Sequence, residues 1–284
     1  MINDLYKSIL LPIEEEPIFQ LPQEASESNK IVRSVWFGPV FTNIQKLCIK
    51  SYLNKGHEFH LYTLRPVVGT PEGTVVKDAN EFMSYKDIEN FPSNSQASDY
   101  FRVLMIMKEG GWYVDLDTVC LRPLEFDEPY VFASEESWSD WPDRKPWEEQ
   151  YKSSNIPQSY VSNHTFKAPK DSLFLKYVAN KIEHMDTLRL PCWGALGPEL
   201  FSKAVPKFSL NQYVKAPIVF DWLNPKDYRN FIRSGVDWDF SKEAYSIHLR
   251  TSFWKKGNDM GLNENAIYPS DSLFEILKKE NNVC

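Results

Sequence analysis

Hydrophobic positions in this chain switch between a period of two and a helical period, and the order of the switches sets the first expectation about its fold. The run IVRSVWF, from Ile31 to Phe37, is apolar and β-branched and is closed by Gly38-Pro39, so it predicts a first strand. In TNIQKLCIKSYLNKG the spacing becomes helical. Ile44, Leu47, Cys48 and Tyr52 share one face, Thr42 stands at an N-cap position and Gly56 follows the last turn. HEFHLYTL alternates again and predicts a second strand. Strand, helix and strand in direct succession make one βαβ unit and imply a parallel pair.

Further along, Val75-Val76 suggests a minor strand. ASDYFRVLMIMKEGG reads as a helix with Ser98 as candidate N-cap and Gly110-Gly111 as its stop. Trp112 to Leu116 is a short strand, TVCLRPL continues in extended form, and YVFAS from Tyr130 to Ser134 is another strand. DSLFLKYVANKIEHM and a segment starting near Pro198 predict two more helices. VKAPIVF and AYSIHLR read as short strands, followed by a polar tail. There is no internal repeat and no coiled-coil heptad. The expected organisation is a peripheral segment over 1–30, a catalytic domain over 31–270 and a C-terminal tail over 271–284. Within the domain, 135–160 is a long excursion rich in acidic, Trp and Pro residues, and excursions of that length often carry function.

Composition narrows the function classes. The chain has 284 residues, enough for one large α/β domain. A net charge of -7 argues against a general nucleic-acid binder, which would need clustered cations. Nine Trp, 14 Tyr and 18 Phe fill a core, and some could line a sugar or base groove. Cys48, Cys120, Cys192 and Cys284 form no CxxC and read as free thiols. No apolar run is long enough to span a membrane, and the first residues do not resemble a signal peptide. The expected location is therefore cytoplasmic, with association at the inner face of the membrane left open.

The chemistry concentrates in EGGWYVDLDTVCLRPL. Asp115 and Asp117 stand two apart at the end of an apolar strand, so both can face one point. Ligands in open α/β sheets gather beyond the carboxyl ends of strands. Like charges placed together there call for a cation, and hard oxygen donors favour Mg²⁺ or Mn²⁺, which can grip a diphosphate. An acidic surface turn is the plain alternative. Asp99 and Arg102, three apart on the preceding helix, read either as a local ion pair or as donors and acceptors for sugar hydroxyls and phosphate.

The stretch SDYFRVLMIMKEGGWYVDLDTVCLRPL resembles the signature of the DxD-containing sugar transferases. These include capsule and lipopolysaccharide transferases, initiating mannosyltransferases and α-1,4-galactosyltransferases. That resemblance implies a GT-A type, Rossmann-like, mostly parallel sheet flanked by helices, with 135–160 as a variable acceptor-side insertion. It implies that Asp99 and Arg102 contact the donor sugar, that Asp115 contacts sugar or ribose and orders the metal, and that Asp117 is a direct metal ligand. IVRSVWFG resembles the family's first strand, which would stack Trp36 near the base beside the backbone of Val35 and Phe37. VSNHTFKAPKDSLF resembles the segment that places Asn163 near the sugar, with His164 as the alternative contributor. AYSIHLRTSFWKK resembles the closing motif, making His248 a metal ligand and Trp254 an indole N–H donor to the diphosphate, with Arg250, Lys255 and Lys256 adding positive charge. The resemblance is dense over 31–134, thins through 135–240 and returns over 244–256; the stretch 135–160 matches no acceptor pattern, and Asp140, Asp143 and Trp147 read as acceptor-side residues or, more simply, as solvated loop.

The expected function is a retaining glycosyltransferase dependent on Mn²⁺ or Mg²⁺. It would move a hexose or N-acetylhexosamine from a nucleotide diphosphate sugar, UDP-linked as the resemblance implies and with GDP-mannose left open, to a glycan or glycolipid acceptor in surface polysaccharide or lipopolysaccharide synthesis. A metal-dependent nucleotide-sugar hydrolase and a non-catalytic carbohydrate-binding protein are the competing readings.

Overall fold

The structure, a computed structural model, describes residues 28–136, 159–222, 225–238, 242–252 and 263–283. Among them, six strands form one sheet in the order β3-β2-β1-β4-β7-β6, with β1 Ile31–Trp36, β2 Glu58–Thr63, β3 Val75–Asp78, β4 Gly111–Val114, β6 Val131–Glu136 and β7 Ser159–Ala168. The β1–β2, β2–β3 and β1–β4 pairs are parallel, and β7 runs antiparallel to both β4 and β6. A separate antiparallel pair joins β5 Thr118–Cys120 to β8 Ser246–His248. This is the expected α/β architecture, a mostly parallel sheet flanked by helices.

Helix α1, Asn43–Asn54, links β1 to β2 and starts at the predicted Thr42, which forms a capping box with Gln45. Short helix α2 spans Tyr85–Ile88 in a stretch that shows little periodicity. Helix α3, Asn94–Glu109, brings the chain back across the sheet to β4 on the far side of β1. The direction of winding thus reverses between β1 and β4, and that switch point is where such sheets bind ligands.

Alternation along the strands sorts the core onto two faces. Val35, Tyr62, Tyr113 and Phe166 pack with Phe101 of α3, Phe174 of α4 (Leu173–Glu183) and Phe201 of α5 (Pro198–Lys207). Val32, Phe59, Leu61, Trp112 and Val114 face the other way, against Cys48, Ile49 and Tyr52 of α1. Trp112 and Tyr113 are both fully buried on opposite faces, so β4 is fixed from both sides just before the carboxylates. Cys48, Cys120 and Cys192 are free thiols, as expected. No helix among the described residues is long and apolar enough to cross a membrane.

Three local expectations need correction. The N-cap of α3 is Ser93 rather than Ser98, so Asp99 lies in the second turn, out of reach of the helix-end charge. VKAPIVF is no strand: Pro217–Phe220 forms a helical turn, α6, begun by its proline, and Val214 makes only an isolated bridge to Phe132. The polar tail contains helix α7, Leu273–Glu280, capped by Ser272. Leu273, Phe274 and Leu277 are buried with Ile44 and Leu47 of α1, and each such side chain contributes roughly 1.5–3 kcal/mol, enough to dock the helix.

Candidate functional site

Three elements bring the site together. Strand β4 ends at Val114, whose carbonyl accepts from the Ser34 hydroxyl of β1 at 2.7 Å, so Asp115 emerges at the switch point. Val114 pairs with Thr165 of β7, which sets Asn163 and His164 alongside; the Asp115 amide donates to the His164 carbonyl at 2.7 Å. Thr118 pairs with His248, and the Leu249 amide donates to the Asp117 carbonyl at 2.8 Å, which carries the C-terminal histidine to the DxD turn.

Buried Asp99, Arg102 and Asn163 form one cluster with half-buried Asp115. Arg102 is 3% exposed, and its guanidinium lies 4.5 Å over the Tyr113 ring. Its Nε donates to the Ser98 carbonyl and its Nη2 to the Ser98 hydroxyl, while Nη1 donates to the Asn163 carbonyl at 2.8 Å. Its Nη2 also lies 3.2 Å from Asp99 Oδ1 and 3.1 Å from Asp115 Oδ1. The Asn163 side-chain amide donates to Asp99 Oδ1 at 2.8 Å. Burial pushes the Asp99 carboxyl up to about 6, although Arg102 and Asn163 pull the other way. Burial also raises Asp115, against the pull of Arg102. The guanidinium therefore acts inside the protein as a clamp on two carboxylates and a strand backbone.

Asp117 is set differently. Its Oδ2 accepts from both the amide and the hydroxyl of Thr251, at 3.0 and 2.8 Å, and its Oδ1 lies 3.4 Å from His248 Nε2. Burial alone would raise it, but His248 and the Thr251 donors outweigh burial and hold it well below the usual carboxylate range. Asp117 is thus ionised, and it raises His248 in return against the effect of burial. Donor atoms of Asp115, Asp117 and His248 lie within 4.8 Å of one another. The Asp115 side chain keeps 27% of its surface in solvent. Two carboxylates and an imidazole at that spacing, open on one side, fit a divalent cation that shares a bound diphosphate.

Other predicted residues fall into distinct places. Trp36 ends β1, packs its ring against Phe41 and holds a buried indole N–H with no partner among the described residues. Val35 and Phe37 point into the core, Phe37 edge-on to Phe101. His164 is buried, with Nδ1 2.9 Å from the Thr165 hydroxyl. Arg250 is buried and paired with Glu135 and Asp221. Trp254, Lys255 and Lys256, with Asp140, Asp143 and Trp147, lie outside the described residues.

The structure adds residues that the sequence reading did not single out. The Tyr113 hydroxyl donates to Asp115 Oδ1 at 2.6 Å, and Thr251 grips Asp117 as described. Gly197, the residue before α5, touches the Asp99–Asn163 pair closely enough that a Cβ would lie 2.6 Å from Asn163 Nδ2. Tyr113 stands two before Asp115 and so shares its face, a legible signal. Thr251 and Gly197 come from remote segments and carry none.

Comparison with known proteins finds a family match over part of the chain. No curated protein sequence matches significantly. The solved structure of PaToxG glycosyltransferase aligns with a TM-score of 0.41 and 13% identity, over 62% of this chain and 67% of that one. Residues 45–145 match the family model described as the glycosyltransferase sugar-binding region containing a DXD motif. That span holds Asp99, Arg102, Asp115 and Asp117, so through the carboxylate cluster this chain is similar to the DxD glycosyltransferases.

Proposed function

We propose that this protein is a retaining glycosyltransferase that moves a hexose or N-acetylhexosamine from a UDP-linked donor to a glycan or glycolipid acceptor, in surface polysaccharide or lipopolysaccharide synthesis. The observation that carries the reading is the pairing of two carboxylate clusters with opposite settings at one switch point. Asp117, held ionised by Thr251 and His248, suits a cation; Asp99, pushed up by burial and held by Asn163, suits hydroxyl groups.

Asp115, Asp117 and His248 would hold Mn²⁺ or Mg²⁺. When bound, the cation would offset the negative charge that grows on the leaving diphosphate. Trp36 would stack beside the base and offer its unpartnered indole N–H, next to the backbone of Val35 and Phe37. Asp99 and Asn163 would orient the sugar hydroxyls. Arg102 would keep Asp99 and Asp115 from separating, so that the anomeric carbon meets a fixed frame. Trp254 would donate to the diphosphate. The acceptor hydroxyl would lose its proton to a leaving-group oxygen on the same face. The segment 135–160 would contribute to acceptor choice.

Nucleotide release from UDP-glucose, UDP-galactose, UDP-N-acetylglucosamine and GDP-mannose, measured with Mn²⁺ and oligosaccharide acceptors, tests the reading. It predicts acceptor-stimulated release from one UDP-sugar, lost with EDTA and in Asp117→Ala. Release that is indifferent to both would overturn it.

A further inference from the structure

Behind the DxD turn lies a second group of metal-ligating side chains. Glu135 comes from β6, His164 from β7, Asp221 from the residue after α6, and His248 from β8; one donor atom of each lies within 4.8 Å of all the others. Glu135, His164 and Asp221 are 6%, 2% and 4% exposed. We propose that these four residues form a zinc site that shares only His248 with the cation site of Asp115, Asp117 and His248.

The case rests on which atoms have partners. Glu135 Oε1 accepts from the Ser162 hydroxyl at 2.6 Å, and Glu135 Oε2 lies 3.2 Å from Arg250 Nη1. Arg250 Nη2 pairs with Asp221 Oδ2. His164 Nδ1 is bonded to the Thr165 hydroxyl. What remains is Asp221 Oδ1, His164 Nε2 and His248 Nδ1, each buried and without a hydrogen-bond partner among the described residues. Buried polar atoms are normally satisfied. A single orphan is ordinary, but here three orphans belong to one four-residue cluster. Asp221 Oδ1 and His248 Nδ1 stand 3.8 Å apart, and the two imidazole centroids are 4.3 Å apart.

The ligand chemistry selects the ion. Two imidazoles with two carboxylates suit zinc, whereas the all-oxygen pair of the DxD turn suits Mg²⁺ or Mn²⁺. A tetrahedral zinc with bonds of about 2.0–2.1 Å spaces its donors more tightly than 4.8 Å, so binding would draw the cluster inward by roughly an ångström. The outer hydrogen bonds are of the kind that hold metal ligands in place. Thr165 fixes the His164 ring, Ser162 and Arg250 hold Glu135, and Arg250 holds Asp221.

The site has a consequence for the neighbouring one, and that consequence alone rests on the proposed function. An ion that takes the Nδ1 lone pair of His248 leaves the ring hydrogen on Nε2, 3.4 Å from Asp117 Oδ1. With zinc bound, His248 passes from ligand of the diphosphate-side cation to hydrogen-bond donor toward Asp117, and that cation rests on Asp115 and Asp117 alone.

The experiment strips the full-length protein with a chelator and titrates it with Zn²⁺, and with Co²⁺ as a chromophoric substitute. Wild type, Asp117→Asn, His164→Gln and Asp221→Asn are compared, with circular dichroism to confirm folding. The proposal predicts one retained equivalent of Zn²⁺ and tetrahedral-type Co²⁺ absorption in wild type and in Asp117→Asn. His164→Gln and Asp221→Asn should each bind at least ~100-fold more weakly. Zinc that is lost in Asp117→Asn but kept in the other two would place the ion at the DxD turn and overturn the proposal. Folded wild type that retains no zinc would also overturn it, leaving an ion-pair network bridged by water.

Discussion

Gly197 offers a sharp test of how tightly the sugar-side cluster is built. A methyl group at this position would lie 2.6 Å from Asn163 Nδ2 and 2.9 Å from both Asn163 Oδ1 and Asp99 Oδ1. The obstacle is the neighbours, because Asp99 and Asn163 are each 4% exposed and joined to one another at 2.8 Å. Clearing the methyl means moving them apart. Overpacking a well-filled site costs about 1–3 kcal/mol, and losing a buried hydrogen bond to a charged group costs about 1.5–3 kcal/mol. The two overlap, so Gly197→Ala should lose roughly 2–5 kcal/mol in urea unfolding. Gly194→Ala is the control: its Cβ would meet nothing nearer than 3.8 Å, and the change should fall within about 0.5 kcal/mol. In binding, Gly197→Ala should keep affinity for UDP and lose the extra affinity that the sugar adds. A Gly197→Ala protein as stable as Gly194→Ala, with unchanged UDP-sugar binding, would refute the claim that this pair is rigid and faces the sugar.

Other perturbations address separate parts of the account. Arg102→Ala leaves buried Asp99 and half-buried Asp115 without their counter-ion and should cost about 3–5 kcal/mol by denaturant unfolding; a loss under 1 kcal/mol would contradict the clamp. Tyr113→Phe removes one donor from Asp115 and should cost about 1.5–3 kcal/mol, with weaker metal-dependent nucleotide binding measured by calorimetry. Asp99, at about 6 in the folded state, binds its proton more tightly there than in the unfolded chain, so its contribution to stability falls as pH rises from about 4 to 6 and stays lost above. The drop is about 3 kcal/mol, and it should vanish from the unfolding profile of Asp99→Asn; parallel profiles would count against the assignment. Leu277→Ala should destabilise by about 2–5 kcal/mol if α7 is docked as described, and by almost nothing if the segment is a solvated tail.

Much of the fold was legible because the strands and long helices carry clean periodicity. The βαβ opening, the Thr42 cap and the Pro198 start follow from spacing and capping chemistry alone. Some misreadings had a signal in plain view. Ser93 is followed three residues later by Gln96, the two side chains bond, and this pairing marks a helix start better than Ser98 does. Ser272 likewise precedes Glu275 by three, and the apolar spacing of Leu273, Phe274 and Leu277 is helical. The site divides in the same way. Asp99, Arg102, Asp115 and Asp117 lie within one continuous α3–β4 segment, so their conjunction is local. Glu135, Asp221, Thr251 and Gly197 reach the site only through the pairing of β7 with β4 and β6 and of β8 with β5, and no short-range pattern announces long-range register.

The central claim is that a divalent cation held at Asp115 and Asp117 binds a nucleotide diphosphate sugar. Calorimetric titration of UDP, UDP-sugars and GDP-mannose, each with Mn²⁺ and with EDTA, on wild type and on Asp117→Ala, tests it most directly. The account predicts tight binding of UDP and one UDP-sugar that disappears in EDTA and in the variant. Binding that survives both would contradict it.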